Sequence, residues 1–383
     1  MKIEPVKTAV IGCGMISDSY FINLKEKFSI IDLVGCSDLV ESKAKEKAEK
    51  YNIRMMTNEE ILKDPEIEIV VNLTYASSHF EVNKQVMNAE KHLYCEKMMC
   101  DDMEQAYMLR KIKETKGVRF VPAPDTVLGG MLQSCRKAID SGMIGEPVFT
   151  IVSLSRGYHM IKEDKEDAAR KYSVMQKGGG IPYDMGGYYL HALFNMFGPV
   201  EKVCGFSKTR NQNRPYLTPR HSKFQEDFMV STPNTVCASL SFKNGMYTSF
   251  TMSSDCFGED YLFEIHGTEG ILFCGDPNLF GDKIEIKRHN CEKMEFPLTH
   301  PYRTNSRGIG VADLAWAIRT NREQRLPFLF GYHALEVINA INDSQKDGTT
   351  KILTTDFSIP NPIGSLYYDG TSEERNLYLY DEC

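Results

Sequence analysis

The chain has 383 residues, 25% charged and 42% hydrophobic, with a formal net charge of −7 and a pI near 5.8. That length predicts two domains, each able to bury a core, and an acidic balance without a basic run excludes nucleic acid as an expected partner. No stretch reaches the roughly eighteen consecutive apolar residues of a membrane span, and the charged Met-Lys-Ile-Glu start does not fit a signal peptide, so the cytoplasm is the expected compartment. The eleven cysteines include no Cys-x-x-Cys pair and read as reduced core thiols. The nine histidines show no ligand spacing, and no metal is expected.

In chain order, Lys7 to Ser17 reads as a buried strand, a glycine turn and the start of a helix carrying Ile16, Tyr20, Phe21, Leu24 and Phe28 on its apolar face. Gly12 permits a tight turn and Gly14 lets the chain approach a pyrophosphate, whose charge would sit on the free amides of the helix N-terminus. Ser17 replaces the third glycine of the dinucleotide fingerprint and is small enough to keep helix and strand close. A second strand, Ile30 to Val34, leads to Asp38, placed to accept hydrogen bonds from an adenosine ribose and to repel a 2′-phosphate, which favours NAD over NADP. Its competing reading is a cap for the helix starting near Glu41.

Further βα units follow. Strand Ile69 to Leu73 delivers Thr74 and His79 to the carboxyl edge, where loops line the cofactor crevice; for His79 the alternative is a helix-start histidine bonded to nearby backbone. Strand His92 to Cys95 delivers Glu96 and Lys97. A lysine partly desolvated there has its pKa lowered towards neutrality and can take part in proton transfer. Strand Arg119 to Ala123 and the sequence Pro-Ala-Pro-Asp close a first domain, 1–125.

Residues 126–383 form the second domain. Long alternating strands predict a large, mainly antiparallel open sheet, with Lys-Asn-Gly at 243–245 as a hairpin turn. The uncovered face of such a sheet predicts a homo-oligomer. Within this domain Gly178 to His191 places Asp184, Tyr188 and His191 at i, i+4 and i+7, one face of a predicted helix. An acid, a phenol and an imidazole together suit proton transfer, against the reading of a polar helix face satisfied within the core. The charged stretch from Met160 to Lys177 reads as a solvated face or a lid, and the tail from Pro360 as a strap carrying four tyrosines. C-terminal helices are expected to pack back towards the first domain.

Taken together, Val-Ile-Gly-Cys-Gly-Met-Ile-Ser, Asp38, Thr74 to His79, Glu96-Lys97, Gly178 to Tyr188 and His-Gly-Thr-Glu-Gly at 266–270 resemble the Gfo/Idh/MocA family of nicotinamide-dependent sugar oxidoreductases, over nearly the whole chain. The resemblance implies an N-terminal Rossmann doubly wound parallel sheet followed by an α+β domain. It implies a cofactor set of Gly12, Gly14, Met15, Ile16, Asp38, Thr74, His79, Glu96 and Lys97. The family's Glu-Lys-Pro motif maps onto Glu96-Lys97-Met98, with Lys97 catalytic and the proline absent. Its second-domain aspartate maps onto Asp184, and the partner that is often histidine onto Tyr188. Asp125, Thr126 and His191 are secondary candidates for touching the sugar.

The implied reaction is oxidation of a secondary ring hydroxyl, C3 by family precedent, of a sugar, glycoside or cyclitol. Either Tyr188 or Lys97 would be the base, since interacting groups titrate as a set. Two rival readings keep the fold: an enzyme that retains NAD and cleaves or isomerises without net redox, and a non-catalytic NAD-binding sensor.

Overall fold

The computed structural model describes residues 3–157, 175, 178–217, 219 and 222–364. The charged stretch at 160–177, Met175 apart, and the tyrosines of the tail lie outside the described residues.

Short β-branched runs alternate with amphipathic helices over the first third, and the strands pair in parallel: β1 (Val6–Ile11), β2 (Ile31–Ser37), β3 (Arg54–Met55), β4 (Ile69–Asn72), β5 (His92–Cys95) and β6 (Phe120–Pro122). Their order is β3-β2-β1-β4-β5-β6. Helices on both faces explain why β1 and β4 are almost wholly buried. The order reverses at β1 and β4, which opens a crevice at the carboxyl ends of the strands.

A second sheet of nine strands has the order β16-β15-β14-β13-β7-β12-β11-β8-β17. Its central strands are β7 (Pro147–Arg156), β11 (Thr235–Phe242), β12 (Tyr247–Ser253) and β13 (Glu259–Gly267), flanked by β8 (Val200–Lys208), β14 (Gly270–Phe273), β15 (Ile284–Arg288), β16 (Met294–Phe296) and β17 (Lys351–Ile352), while β9 (Asn213–Pro215) and β10 (Asp227–Met229) form a separate ribbon. The sheet is mixed, because β7 runs parallel to β12 and antiparallel to β13. Alternation buries one face: Val152, Phe250, Met252 and Phe263 point inward, and the helix Gly186–Phe197 lies on them, with the Tyr189 ring edge-on to Phe263 at 5.6 Å. The other face leaves Phe206 69% and Tyr247 60% exposed.

The chain then returns to the first sheet. Helices Ile309–Thr320 and Phe328–Asp347 pack on β6, where a Cβ at Gly331 would come 2.7 Å from the Pro122 side chain. One hydrophobic core therefore runs through both sheets.

Candidate active site

The glycine turn after β1 packs hard on the loop after β4. Gly12 has φ +106°, and a Cβ there would lie 2.6 Å from the Leu73 carbonyl carbon, so geometry and space both require glycine. Ser17 is fully buried and its hydroxyl donates to the Gly14 carbonyl at 2.5 Å, closing the turn onto the helix Ser17–Glu26. Gly14 differs: its φ is not positive and a Cβ would meet nothing within 4 Å. No protein neighbour demands glycine there, and the open position lies beside the free amides of a helix N-terminus, the requirement of an approaching phosphate.

Asp38 locks the end of β2 to this turn, one carboxylate oxygen accepting from the Cys13 N–H and the other from the Val40 N–H, both at 2.8 Å. It does not cap the helix Glu41–Tyr51 from within, since Val40 holds the N-cap position without a side-chain bond. Around the same edge Met15, Leu39 and Tyr75 are 62%, 97% and 72% exposed, three large apolar side chains that a nucleotide would cover. Residues and shape fit a dinucleotide. Ile16, the N-cap of the first helix, contributes backbone rather than side chain to this edge.

The loops after β4 and β5 are strapped together. Asn72 accepts from the backbone N–H and the hydroxyl of Thr74 at 3.1 and 2.7 Å. His79 and Asn83, one turn apart on the helix Ala76–Asn88, hold the next loop: the His79 ring nitrogens lie 2.6 Å from the Met98 carbonyl and 3.0 Å from that of Thr74, and the Asn83 amide donates to Met99 at 3.0 Å. His79 is 1% exposed, and burial pushes its pKa down. It is a backbone clamp, the second of the two readings its position allowed. Glu96 accepts from the Tyr20 hydroxyl at 2.6 Å and from the Lys97 N–H at 3.0 Å, and the Lys97–Met98 peptide is cis.

Lys97 reaches across to the second domain. Its ammonium donates to both the carboxylate and the backbone carbonyl of Asp184, each at 2.6 Å, and stands 5.3 Å from the centre of the Tyr188 ring. Both partners of the ion pair are 11% exposed. Burial works to lower Lys97, but the charge of Asp184 and the neighbouring phenol outweigh it, and the ammonium is held above its ordinary range. The expected downward shift of this lysine is thus corrected: desolvation is present, and a paired carboxylate overrides it. Tyr188 is also raised, by burial first, with Lys97 and Arg307 pulling the other way.

The predicted single helix through Asp184, Tyr188 and His191 is two. A short helix, Ile181–Asp184, ends at Met185, and a second runs Gly186–Phe197. The break separates the face: Asp184 and Tyr188 meet Lys97, while His191 is 1% exposed, 5.6 Å from the Phe330 ring centre, with its pKa pushed down to about 3 by burial. His191 is a core residue here. Asp125 does not face the crevice either. One of its oxygens accepts from Gly308 and Gly310 at 2.8 and 3.1 Å, because the free amides at the start of helix Ile309–Thr320 need an acceptor, and burial raises it to about 6. The Thr126 hydroxyl is buried and has no hydrogen-bond partner among the described residues.

Sequence reasoning missed Arg307. It lies on the turn before helix Ile309–Thr320, donates to the Asn278 side chain at 3.0 Å, and sits close enough to Tyr188, Tyr20, Glu96 and Asp125 for their charges to act on it. The pattern Ser-Arg-Gly-Ile-Gly marks a helix entry; nothing in it signals a long-range meeting with Tyr188. Among the described residues no group of three or more His, Cys, Asp or Glu side chains could hold a metal ion, and no helix is long and apolar enough to cross a membrane.

Residues 6–123 match the model of the oxidoreductase family with an NAD-binding Rossmann fold, and residues 132–273 match that of the GFO/IDH/MocA C-terminal domain. An uncharacterized oxidoreductase of Schizosaccharomyces pombe is 26% identical over 56% of this chain and 58% of its own length. The inositol 2-dehydrogenase/D-chiro-inositol 3-dehydrogenase of Lactiplantibacillus plantarum is 24% identical over 43% of this chain and 47% of its own. The chain thus spans less than two thirds of the length of these curated relatives. Levoglucosan dehydrogenase, solved with NADH and L-sorbose, superposes with a TM-score of 0.77 at 18% identity, covering 91% of this chain and 99% of that one, a likeness of fold.

Proposed function

We propose that this chain, which belongs to the GFO/IDH/MocA family of oxidoreductases, oxidises a secondary ring hydroxyl of a sugar, glycoside or cyclitol with NAD. The observation that carries the reading is the convergence of Lys97, Asp184 and Tyr188 from two domains at the mouth of a crevice whose rim fits a dinucleotide. Gly12, Gly14, Met15, Ile16 and Asp38 would hold the adenosine diphosphate half; Thr74, Glu96 and Lys97 would flank the nicotinamide. The chemistry supplied by bound NAD is acceptance of the hydride from the carbinol carbon.

The chain's own part is orientation and the hydroxyl proton. With Lys97 held as a cation by Asp184, the group assigned to take the proton is Tyr188 in its phenolate form. The ammonium beside the phenol favours its ionised form against the cost of burial. Asp184 holds the lysine in place.

The exposed sheet face is the companion proposal. Phe206, Tyr247, Phe149 and Leu262, at 69%, 60%, 39% and 39% exposure, lie on one open sheet face among Cys237, Thr251 and Ser153, a face that a second copy of the chain would cover. Light scattering on the wild type and on Phe206→Asp tests it; a wild-type monomer removes it.

NADH formation on a panel of hexoses, inositols and glycosides, repeated with NADP and with Lys97→Met, tests the activity. Turnover lost in the variant supports the reading, and a preference for NADP overturns the role given to Asp38. No turnover, with NAD found bound after purification, would shift the reading to a retained-cofactor reaction.

A further inference from the structure

Arg307 stands on a backbone held from several sides. Its carbonyl accepts from the Asn23 amide at 2.9 Å, the next amide, Gly308, donates to Asp125 at 2.8 Å, and Cβ atoms at Gly308 and Gly310 would meet Leu24 at 3.1 Å and Tyr94 at 2.8 Å. The turn is therefore wedged between the first helix and β5, and its guanidinium is within electrostatic reach of Tyr188. There it lies 5.9 Å from the Phe280 ring centre, with one nitrogen on Asn278 at 3.0 Å.

No carboxylate among the described residues lies within 4.0 Å of that guanidinium. The nearby acids are otherwise engaged: Glu96 by Tyr20 and the Lys97 amide, Asp125 by two backbone amides, Asp184 by Lys97. A half-buried guanidinium whose protein contacts are neutral amides and a ring, on a turn wedged against the strand that delivers Glu96 and Lys97, retains donors for an anion.

We propose that Arg307 binds a carboxylate of the substrate, so that the compounds oxidised are cyclic sugar acids of the uronate type rather than neutral sugars. The inference rests on the dehydrogenase reading above. One planar fork matches one planar carboxylate in a bidentate pair. The substrate acid would lie against Arg307 with its ring hydroxyl towards Tyr188.

The test compares probes that differ only in the carboxylate, D-glucose with D-glucuronate and D-galactose with D-galacturonate. NADH formation is followed in the wild type, Arg307→Gln and Arg307→Lys, and the same probes are titrated calorimetrically into the NADH-loaded enzyme. The expected result is a wild-type preference for the acid, with the acid-to-neutral ratio of kcat/KM falling about 10- to 100-fold in Arg307→Gln, carried by KM. Arg307→Lys keeps part of the ratio. A wild-type preference for the neutral member, an equal loss on both members, or an effect falling on KM for NAD overturns the proposal. Turnover of the neutral sugars without turnover of their acids, vanishing in Lys97→Met, would sink the anion site and leave the dehydrogenase reading standing. Tight acid binding lost in Arg307→Gln without NADH formation would do the reverse.

Discussion

The Lys97 ammonium and the Asp184 carboxylate meet at 2.6 Å, 87 residues apart in sequence, and this contact joins the nucleotide-binding half to the sheet domain. Both side chains are nearly out of solvent, so losing one partner leaves the other charged and uncompensated. Lys97→Met should lose stability by about 3 kcal/mol and kcat by about 10²- to 10⁴-fold. Pairing it with Asp184→Leu should restore much of the stability and none of the turnover. Urea unfolding and NADH formation on the single and double variants separate the two roles; recovery of activity in the double variant would remove Lys97 from the chemistry.

Neither member of the proton-transfer pair sits near neutrality. Lys97 is raised by its carboxylate and Tyr188 by burial, so the free enzyme presents a protonated phenol at pH 7. Oxidation should accelerate with pH, kcat/KM rising up to about tenfold per unit above neutral because it reports the free enzyme's ionisations. A pH–rate profile flat from 6 to 9 would place the base elsewhere.

Two glycines two residues apart should fail in different ways. At Gly12 a methyl group would strike the Leu73 backbone in a conformation that L residues avoid, so Gly12→Ala should lower the thermal midpoint. At Gly14 it would strike nothing in the protein. Gly14→Val should therefore melt like the wild type and bind NAD at least about tenfold more weakly, a loss of roughly 1.4 kcal/mol. Melting curves with and without NAD distinguish the cases, and unchanged affinity in Gly14→Val would mean that no phosphate approaches there.

Asp125 makes stability depend on pH in an unusual direction. Its folded pKa, about 6, lies above the ordinary carboxylate value because burial disfavours the charge. Between about pH 4 and 6 the native state holds a proton that the unfolded chain has released, so this group's contribution falls as pH rises through that window. Asn can still accept from Gly308 and Gly310. Asp125→Asn should gain roughly 2 kcal/mol on the wild type between pH 4 and pH 7, measured by urea unfolding; parallel curves would refute the shift.

Elements with strong local signals were legible in the sequence. β1, β2 and β4, the helices Glu41–Tyr51 and Gly130–Asp140, and the hairpin joining β11 and β12 follow from periodicity and turn chemistry. The short edge pieces β3, β16 and β17 were not, because two or three residues carry no period. The C-terminal helix runs Phe328–Asp347, its ends set by Pro327 and Gly348 rather than by the apolar stripe.

At the site, a motif could place Lys97 and Asp184, since each follows a local pattern. The interruption at Met185 was illegible, because a helical wheel assumes continuity. Asp125, His79 and Arg307 received their roles from backbone amides, carbonyls and rings brought in from distant segments. No spacing rule encodes such partners.

The bond from Asp125 to the amides of Gly308 and Gly310 bears on how the molecule is made. The nucleotide-binding sheet is complete in strands once residue 122 has been synthesised, yet the helix that Asp125 caps and the longer one lying on β6 come from beyond residue 308. Until those helices arrive, the outer strand has a bare apolar flank and a buried-type carboxylate stands in water. The early half of the chain must therefore wait, unfinished, for the late half. A ribosome stalled in the sheet domain would display a species with this apolar surface uncovered, the form a chaperone would recognise.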